Sequence, residues 1–107
     1  MKVEFLYFEG CPSYIKTLEN LKEILSDEKI ESELKLIKVE SPSEAEFHGF
    51  QGSPSIRING VDLEGKKDGY SYNCRLYKID GKLTGIPGKE YILKRLKNME
   101  MNNPADS

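Results

Sequence analysis

The order of apolar and polar positions begins with a short buried strand and an amphipathic helix. Residues 3–8 are apolar on both faces, which is typical of a strand covered on both sides. After Glu9-Gly10, apolar residues recur at three- and four-residue spacing, which predicts a helix. Residues 31–40 have the apolar content of a half-buried or central strand. The helical apolar positions are Tyr14, Ile15, Leu18, Leu21, Ile24 and Leu25. This part of the chain therefore predicts a βαβ unit.

A second, shorter helix is predicted after the second strand. Ser41 is a suitable N-cap, and Pro42 suits the first helical position because that position needs no N–H donor. Glu44 can complete a capping box with Ser41. We expect Phe47 and Phe50 to form the inward face of this helix.

A hairpin and an insertion follow the short helix. Residues 55–58 alternate in polarity and lead into Asn59-Gly60, a pair that favours a tight hairpin turn. Residues 61–63 are expected to form the returning strand. The segment around residues 64–85 is predicted to be an inserted loop or hairpin, and residues 64–73 within it are predicted to form a loop.

The chain ends in a predicted helix and a tail. Apolar positions predict a helix near residues 88–98, whereas residues 99–107 have no periodicity and are expected to be a disordered tail. The element order βαβ-α-ββ-α predicts an α/β fold with a mixed central sheet and helices on both faces. We expect residues 1–98 to form one domain.

Composition narrows the range of functions. The chain has 107 residues and a formal net charge of -2, so electrostatics gives no reason to expect a nucleic acid partner. No run of residues approaches the ~20 apolar residues that span a bilayer, and the apolar start is too short for a signal peptide. We therefore expect a cytoplasmic protein with no membrane partner, and a monomer.

The sequence gives no reason to expect a cofactor. It contains two cysteines and one histidine, fewer than the four ligands of a closed zinc site. Two cysteines are also too few for a secreted disulfide scaffold. The phosphate-binding motif GxxxxGK[ST], the dinucleotide motif GxGxxG and the hydrolase motif GxSxG do not occur.

Cys11 is the strongest candidate for chemistry. It lies between the first strand and the first helix, with Pro12 in the first helical turn. A helix N-terminus favours thiolate over thiol, and a thiolate attacks disulfides or binds soft metals. Ser13 and Tyr14 are candidates to donate a hydrogen bond to that thiolate, although Tyr14 is at least as suited to core packing. The alternative for Cys11 is a small buried apolar residue.

The motifs resemble those of the thioredoxin superfamily, over roughly residues 2–97. The resemblance implies that Cys11 is the nucleophile and that Pro54 is a cis-proline starting the third strand beside it. The backbone of Ser53 would then be exposed to pair with an extended substrate segment. An ordinary trans proline opening a strand is the alternative. The segments that carry the resemblance are Tyr7-Phe8-Glu9-Gly10-Cys11-Pro12-Ser13-Tyr14, Gly52-Ser53-Pro54-Ser55 and Ile56-Arg57-Ile58-Asn59-Gly60.

One departure from the superfamily pattern leaves three functions open. Tyr14 occupies the position of the second cysteine of C-x-x-C, so a resolving thiol one helical turn away is absent. Cys74 either pairs with Cys11 in a reversible disulfide or packs in the sheet. The leading hypothesis is a thiol–disulfide oxidoreductase in which Cys11 attacks and Cys74 or an external thiol resolves. Its partner would be a protein or small-molecule thiol or disulfide.

Two other classes of function compete with it. One is a non-catalytic module that binds a peptide or partner in a groove beside Pro54. The other is a two-thiolate trap for a soft metal, formed by Cys11 and Cys74.

Overall fold

A mixed four-stranded sheet forms the centre of the structure, a computed structural model that describes residues 1–101. Its strand order is β2-β1-β4-β5, with β1 parallel to β2 and antiparallel to β4. Two further strand pairs, β3 with β6 and β7 with β8, lie outside this sheet. The elements are β1 (Lys2–Tyr7), α1 (Ser13–Asp27), β2 (Glu33–Lys38), α2 (Pro42–His48), β3 (Gln51–Ser53), β4 (Ser55–Ile58), β5 (Val61–Asp62), β6 (Ser71–Cys74), β7 (Tyr77–Ile79), β8 (Lys82–Thr84) and α3 (Lys89–Met101).

Neighbouring residues of β1 contribute to two hydrophobic clusters, because successive side chains of a strand point to opposite faces. Phe5 belongs to the larger cluster, which includes Leu21 of α1 and Ile92 of α3. Leu6 belongs to the smaller cluster, with Ala45 of α2. The helices therefore cover both faces of the sheet. The predicted α/β class with a mixed central sheet is confirmed.

The start of α2 follows the sequence signals. Ser41 is the N-cap, and its hydroxyl accepts a hydrogen bond of 3.1 Å from the backbone N–H of Glu44. Pro42 is the first helical residue. The Ser41 hydroxyl also donates to the Glu44 carboxylate at 3.4 Å. The predicted helix start is confirmed.

The prediction that Phe47 faces inward is wrong, since 84% of its surface is exposed. The helix has seven residues, and Ala45 is its buried position. Phe47 lies two residues further on, about 200° around the helix axis, and so faces solvent. Phe50 is fully buried, as predicted, but it lies beyond the C-cap Gly49 rather than in the helix. Gly49 has a φ of 63°, which lets the chain turn sharply inward.

The insertion contains more strand than its sequence indicates. The Asn59-Gly60 turn and the returning strand β5 are confirmed. Residues 71–73, predicted to be loop, belong instead to β6, which pairs in parallel with β3. Its polar and apolar side chains alternate over only four residues, too short a run to stand out from the preceding loop. A second hairpin, β7-β8, follows within the segment predicted to hold a loop or hairpin.

The last helix extends further than its apolar positions indicate. α3 continues to Met101, so residues 99–101 of the predicted tail belong to the helix. The rest of that tail, residues 102–107, lies outside the described residues. Among residues 1–101, no helix combines the length and apolar character that crossing a membrane requires.

Candidate functional site

The two cysteines, 63 positions apart in the sequence, form a disulfide. The Cα atoms of Cys11 and Cys74 are 5.7 Å apart, within the range that a disulfide spans. Of the two arrangements that the sequence left open for Cys74, the structure contains the pair with Cys11.

The turn between β1 and α1 buries Cys11, which is 5% exposed. Its backbone N–H donates to the carbonyl of Phe8 at 3.3 Å, and its carbonyl accepts from the N–H of Tyr14 at 3.4 Å. Gly10 allows this turn, since a Cβ there would lie 2.5 Å from a ring carbon of Phe8. Pro12 is the N-cap of α1 rather than a residue of its first turn. Cys11 therefore directly precedes the N-terminal end of α1.

The two polar residues after Pro12 have different surroundings. The Oγ of Ser13 lies 3.9 Å from the Sγ of Cys11, within reach of a weak hydrogen bond to sulfur. Tyr14 stacks on Tyr7, with ring centroids 4.5 Å apart, and packs against the larger cluster. Packing is thus the role that the contacts of Tyr14 support. The first turn of α1 contains no acidic residue, so its positive dipole end is not offset there.

The Ser53–Pro54 peptide bond is cis, as the resemblance implies for this position. However, the expectation that the backbone of Ser53 is free for an extended substrate is wrong. Ser53 is fully buried, and its carbonyl accepts a 2.9 Å hydrogen bond from the backbone N–H of Arg75. Its hydroxyl accepts from the backbone N–H of Phe8 at 3.2 Å. The chain's own segment around β6 thus occupies this backbone edge.

Arg75 anchors the segment that carries Cys74. Its side chain is 8% exposed and forms two hydrogen bonds, of 2.7 and 2.9 Å, to the buried carboxylate of Asp62. A third bond of 2.8 Å reaches Glu64. The guanidinium also lies 4.5 Å from the ring centroid of Tyr77. These contacts fix the chain immediately after Cys74.

Tyr77 links this anchor to the cis-proline. Its buried hydroxyl donates a 2.6 Å hydrogen bond to the carbonyl of Pro54. Burial raises the pKa of Tyr77 above its usual range, so the hydroxyl remains a donor. The anchor and the proline loop are therefore parts of one hydrogen-bonded unit.

The carboxylate of Glu64 is shared by two donors. Tyr91 donates to it at 2.6 Å and Arg75 at 2.8 Å. Burial alone would raise the pKa of Glu64, but these two hydrogen bonds hold it below its ordinary value. Burial and the hydrogen bond to Glu64 raise the pKa of Tyr91 to about 12.

The residues around Arg75 were not found from the sequence. Asp62 and Glu64 are two positions apart, the spacing that places two side chains on one side of a strand, although β5 ends at Asp62 and the chain turns there, with the N–H of Gly65 donating to the carbonyl of Asp62 at 2.8 Å. That spacing is the one sequence signal for a paired acidic site. It does not identify Arg75 as the partner, because the two regions are joined only in the folded chain.

Comparison with known proteins adds no family assignment. No protein-family model matches the chain, and no curated protein matches it either. A disulfide with one exposed cysteine can exchange with external thiols, and in its reduced form it offers two neighbouring thiolates.

Proposed function

We propose that this chain is a thioredoxin-like thiol–disulfide oxidoreductase whose redox couple is Cys11–Cys74. The observation that carries the proposal is the disulfide between two thiols far apart in sequence, at the start of α1. Tyr14 occupies the position of the second cysteine in a C-x-x-C motif, and Cys74 would supply the resolving thiol that is missing there. Cytosolic disulfides are usually transient and catalytic, so the cytoplasmic location predicted from the sequence favours the same function.

The arrangement around the couple supports a thioredoxin-like fold. The order β2-β1-β4-β5, with one parallel and two antiparallel pairings, agrees with a βαβ unit followed by an antiparallel pair. Cys11 precedes the first helix, and Pro54 precedes β4, the third strand of the central sheet. These are the positions that the sequence resemblance assigns to the nucleophile and the proline.

Cys11 would be the nucleophile that closes the internal disulfide of the couple. The N-terminal end of α1 favours its thiolate, and Ser13 is within reach to donate to that sulfur. Once one thiol of the protein carries a mixed disulfide, the other displaces the external thiol and closes the Cys11–Cys74 bond. The partner would be a small-molecule or protein thiol or disulfide.

The site gives less support to the two competing functions. A peptide-binding groove beside Pro54 would need the Ser53 carbonyl, which Arg75 already occupies. A two-thiolate metal site would need both cysteines reduced, whereas the structure joins Cys11 and Cys74 in a disulfide. Native mass spectrometry of the reduced protein with copper(I) tests whether the two thiolates bind the metal.

The proposed function is tested by equilibrating the native protein with mixtures of reduced and oxidised glutathione. We expect reversible loss and recovery of the disulfide, with both thiols appearing together when trapped by alkylation and counted by intact mass. Far-UV circular dichroism should stay native throughout. If the disulfide resists reduction until the circular dichroism signal is lost, the disulfide is structural and the proposal is wrong.

Single-cysteine variants provide the functional control. Cys11→Ser and Cys74→Ser should each abolish catalysed reduction of a small disulfide. Asn73→Ser is a matched control, because residue 73 is exposed beside Cys74 and retains the β6 backbone. Full activity in either cysteine variant would contradict a two-thiol couple.

A further inference from the structure

Solvent reaches the two cysteines of the disulfide to different extents. Cys11 is 5% exposed, whereas Cys74 is exposed at the C-terminal end of β6. The rate of thiol–disulfide exchange depends on which sulfur the incoming thiolate reaches. We infer that external thiols attack the sulfur of Cys74, so that Cys74 carries the mixed disulfide and Cys11 leaves. This inference rests on the proposed redox function and assigns the order of its steps.

The leaving thiolate is also better stabilised at Cys11. The better leaving sulfur in a disulfide is the one whose thiolate is favoured. Cys11 precedes the positive end of α1, which has no acidic residue in its first turn. Cys74 is followed by Arg75, but that guanidinium is bound to the carboxylates of Asp62 and Glu64. Access and leaving-group stability therefore favour attack at the same sulfur.

The β3 backbone beside the disulfide is closed to an incoming partner. Gln51 of β3 pairs with Ser71 of β6 and Ser53 pairs with Cys74, with a register shift between the two pairs. An extended peptide cannot use this edge while β6 occupies it, because each backbone group of the edge bonds one partner strand. Among residues 1–101, β6 is the end strand of this two-stranded sheet, so its outer edge beside Cys74 stays open to an incoming partner. A small thiol such as glutathione reaches the Cys74 sulfur without any backbone pairing and therefore reports on access to that sulfur alone.

The proposed exchange balances in two steps. In the first, an external thiolate RS⁻ bonds to the sulfur of Cys74, the Cys11–Cys74 bond breaks, and its electron pair leaves on Cys11 as thiolate. In the second, another RS⁻ attacks the R sulfur of the mixed disulfide, forming RSSR and releasing the Cys74 thiolate. Two external thiols are oxidised and one protein disulfide is reduced. In reverse, RSSR is the oxidant: the Cys74 thiolate attacks it and releases one RS⁻, and the Cys11 thiolate then attacks the Cys74 sulfur, releasing the second RS⁻ and closing the internal disulfide.

The test traps the intermediate in the unaltered protein. Oxidised protein is mixed with reduced glutathione, quenched at early times with acid and N-ethylmaleimide, and digested with pepsin at low pH. Mass mapping then locates glutathione and maleimide on the two cysteines. We expect glutathione on Cys74 and maleimide on Cys11, exceeding the opposite labelling by about tenfold or more.

The outcomes separate this inference from the proposed function. If glutathione is found mainly on Cys11, the order of attack is overturned but the redox function stands. If no adduct forms and the disulfide remains intact in the folded protein, both fail. Equal labelling of the two cysteines, at the earliest times, also overturns the inference.

Single-thiol variants provide a second measurement that separates access from ionisation. Cys11→Ser leaves Cys74, and Cys74→Ser leaves Cys11. Their reaction rates with oxidised glutathione are compared above about pH 9.5, a pH at which an ordinary thiol is mostly ionised. Because both thiols are then mostly ionised, solvent access to the sulfur determines the difference in rate. We expect Cys74 to react about tenfold faster or more than Cys11. A faster reaction of Cys11 under these conditions overturns the inference.

Discussion

The two regions that hold the two sulfurs are built in different ways. The strand and helix around Cys11 are fixed by burial of apolar side chains, with Phe5 and Leu21 fully buried in the larger cluster. The insertion around Cys74 leaves Leu76 and Leu83 largely exposed, at 59% and 67%. Tyr77 is buried, at 1% exposure, and Tyr72 packs against the smaller cluster, but apolar burial alone does not explain where the insertion lies.

Polar contacts hold the insertion instead. Arg75 binds Asp62 and Glu64, and Tyr77 binds the carbonyl of Pro54. Such contacts need specific partners in a fixed geometry, whereas apolar packing tolerates many arrangements of similar volume. The comparison suggests that the position of Cys74 depends on a few directional bonds, and that of Cys11 on many small contacts.

The largest expected effect comes from removing the charge of the anchor. Arg75→Met leaves the buried carboxylate of Asp62, 6% exposed, without its partner. Breaking a buried ion pair in this way costs ~3–5 kcal/mol. We expect a loss of about 3 kcal/mol, the lower end of that range, since the backbone N–H of Glu64 still donates to the Asp62 carboxylate at 2.9 Å. Urea unfolding of the oxidised protein at neutral pH measures it.

Lys38→Met is the matched control in the other region. Lys38 also contacts two carboxylates, those of Glu9 and Glu40, but its side chain is 40% exposed. Exposed ion pairs contribute ~0–1 kcal/mol, so this variant should unfold with a free energy close to that of the wild type. Equal losses in the two variants would mean that burial does not distinguish the two charge clusters, and the comparison would fail.

A smaller effect is expected where the insertion meets the proline loop. Tyr77→Phe removes the hydrogen bond to Pro54 and leaves the buried carbonyl without its donor. Leaving a buried group unpaired costs ~1–3 kcal/mol, and we expect about 1.5 kcal/mol in urea unfolding. The control is Tyr70→Phe, because Tyr70 is 48% exposed and should change stability by less than about 0.5 kcal/mol. A loss below about 0.5 kcal/mol in Tyr77→Phe would show that the hydrogen bond to Pro54 does not anchor the insertion.

The elements with an apolar pattern were predictable from the sequence. The spacing of Leu21, Ile24 and Leu25 predicted α1, and the Asn59-Gly60 pair predicted the β4-β5 turn. Strand β6 was missed because its alternation of polar and apolar side chains extends over only four residues. The prediction that Phe47 faces inward was wrong because α2 has only seven residues and buries Ala45 instead. The three-residue spacing from Phe47 to Phe50 does not show that the helix ends before Phe50.

The candidate site was predictable in part. The position of Cys11 followed from the strand–helix boundary, and Cys74 was one of two possible resolving thiols. Their proximity depends on the parallel pairing of β6 with β3 and on Arg75, which join segments far apart in sequence. No local pattern encodes such long-range polar pairing, so the sequence left the arrangement of Cys74 open.

The smallest expected effect concerns the pH dependence of the anchor. The folded-state pKa of Glu64 is lowered by hydrogen bonds from Tyr91 and Arg75, which outweigh the opposing effect of burial. A lowered pKa means that folding favours the carboxylate. The stabilisation is therefore fully present above the unfolded pKa of about 4.3, and it is lost as pH falls through the lower folded value. At neutral pH, Glu64→Gln should lose less than about 1 kcal/mol, because the side chain is 25% exposed and solvent screens it.

Urea unfolding of wild type and Glu64→Gln at pH 7, 5, 4 and 3 measures this dependence. We expect the difference in unfolding free energy to be constant from pH 7 to 5 and to shrink below about pH 4.3, since the unfolded wild-type carboxylate then takes up a proton, whereas the folded one does so only at lower pH. In a Tyr91→Phe background the decrease should be smaller, because one of the two donors that lower the pKa of Glu64 is gone. A difference that stays constant down to pH 3 would mean that Glu64 contributes by packing alone. The polar character of the anchor would then rest on Asp62.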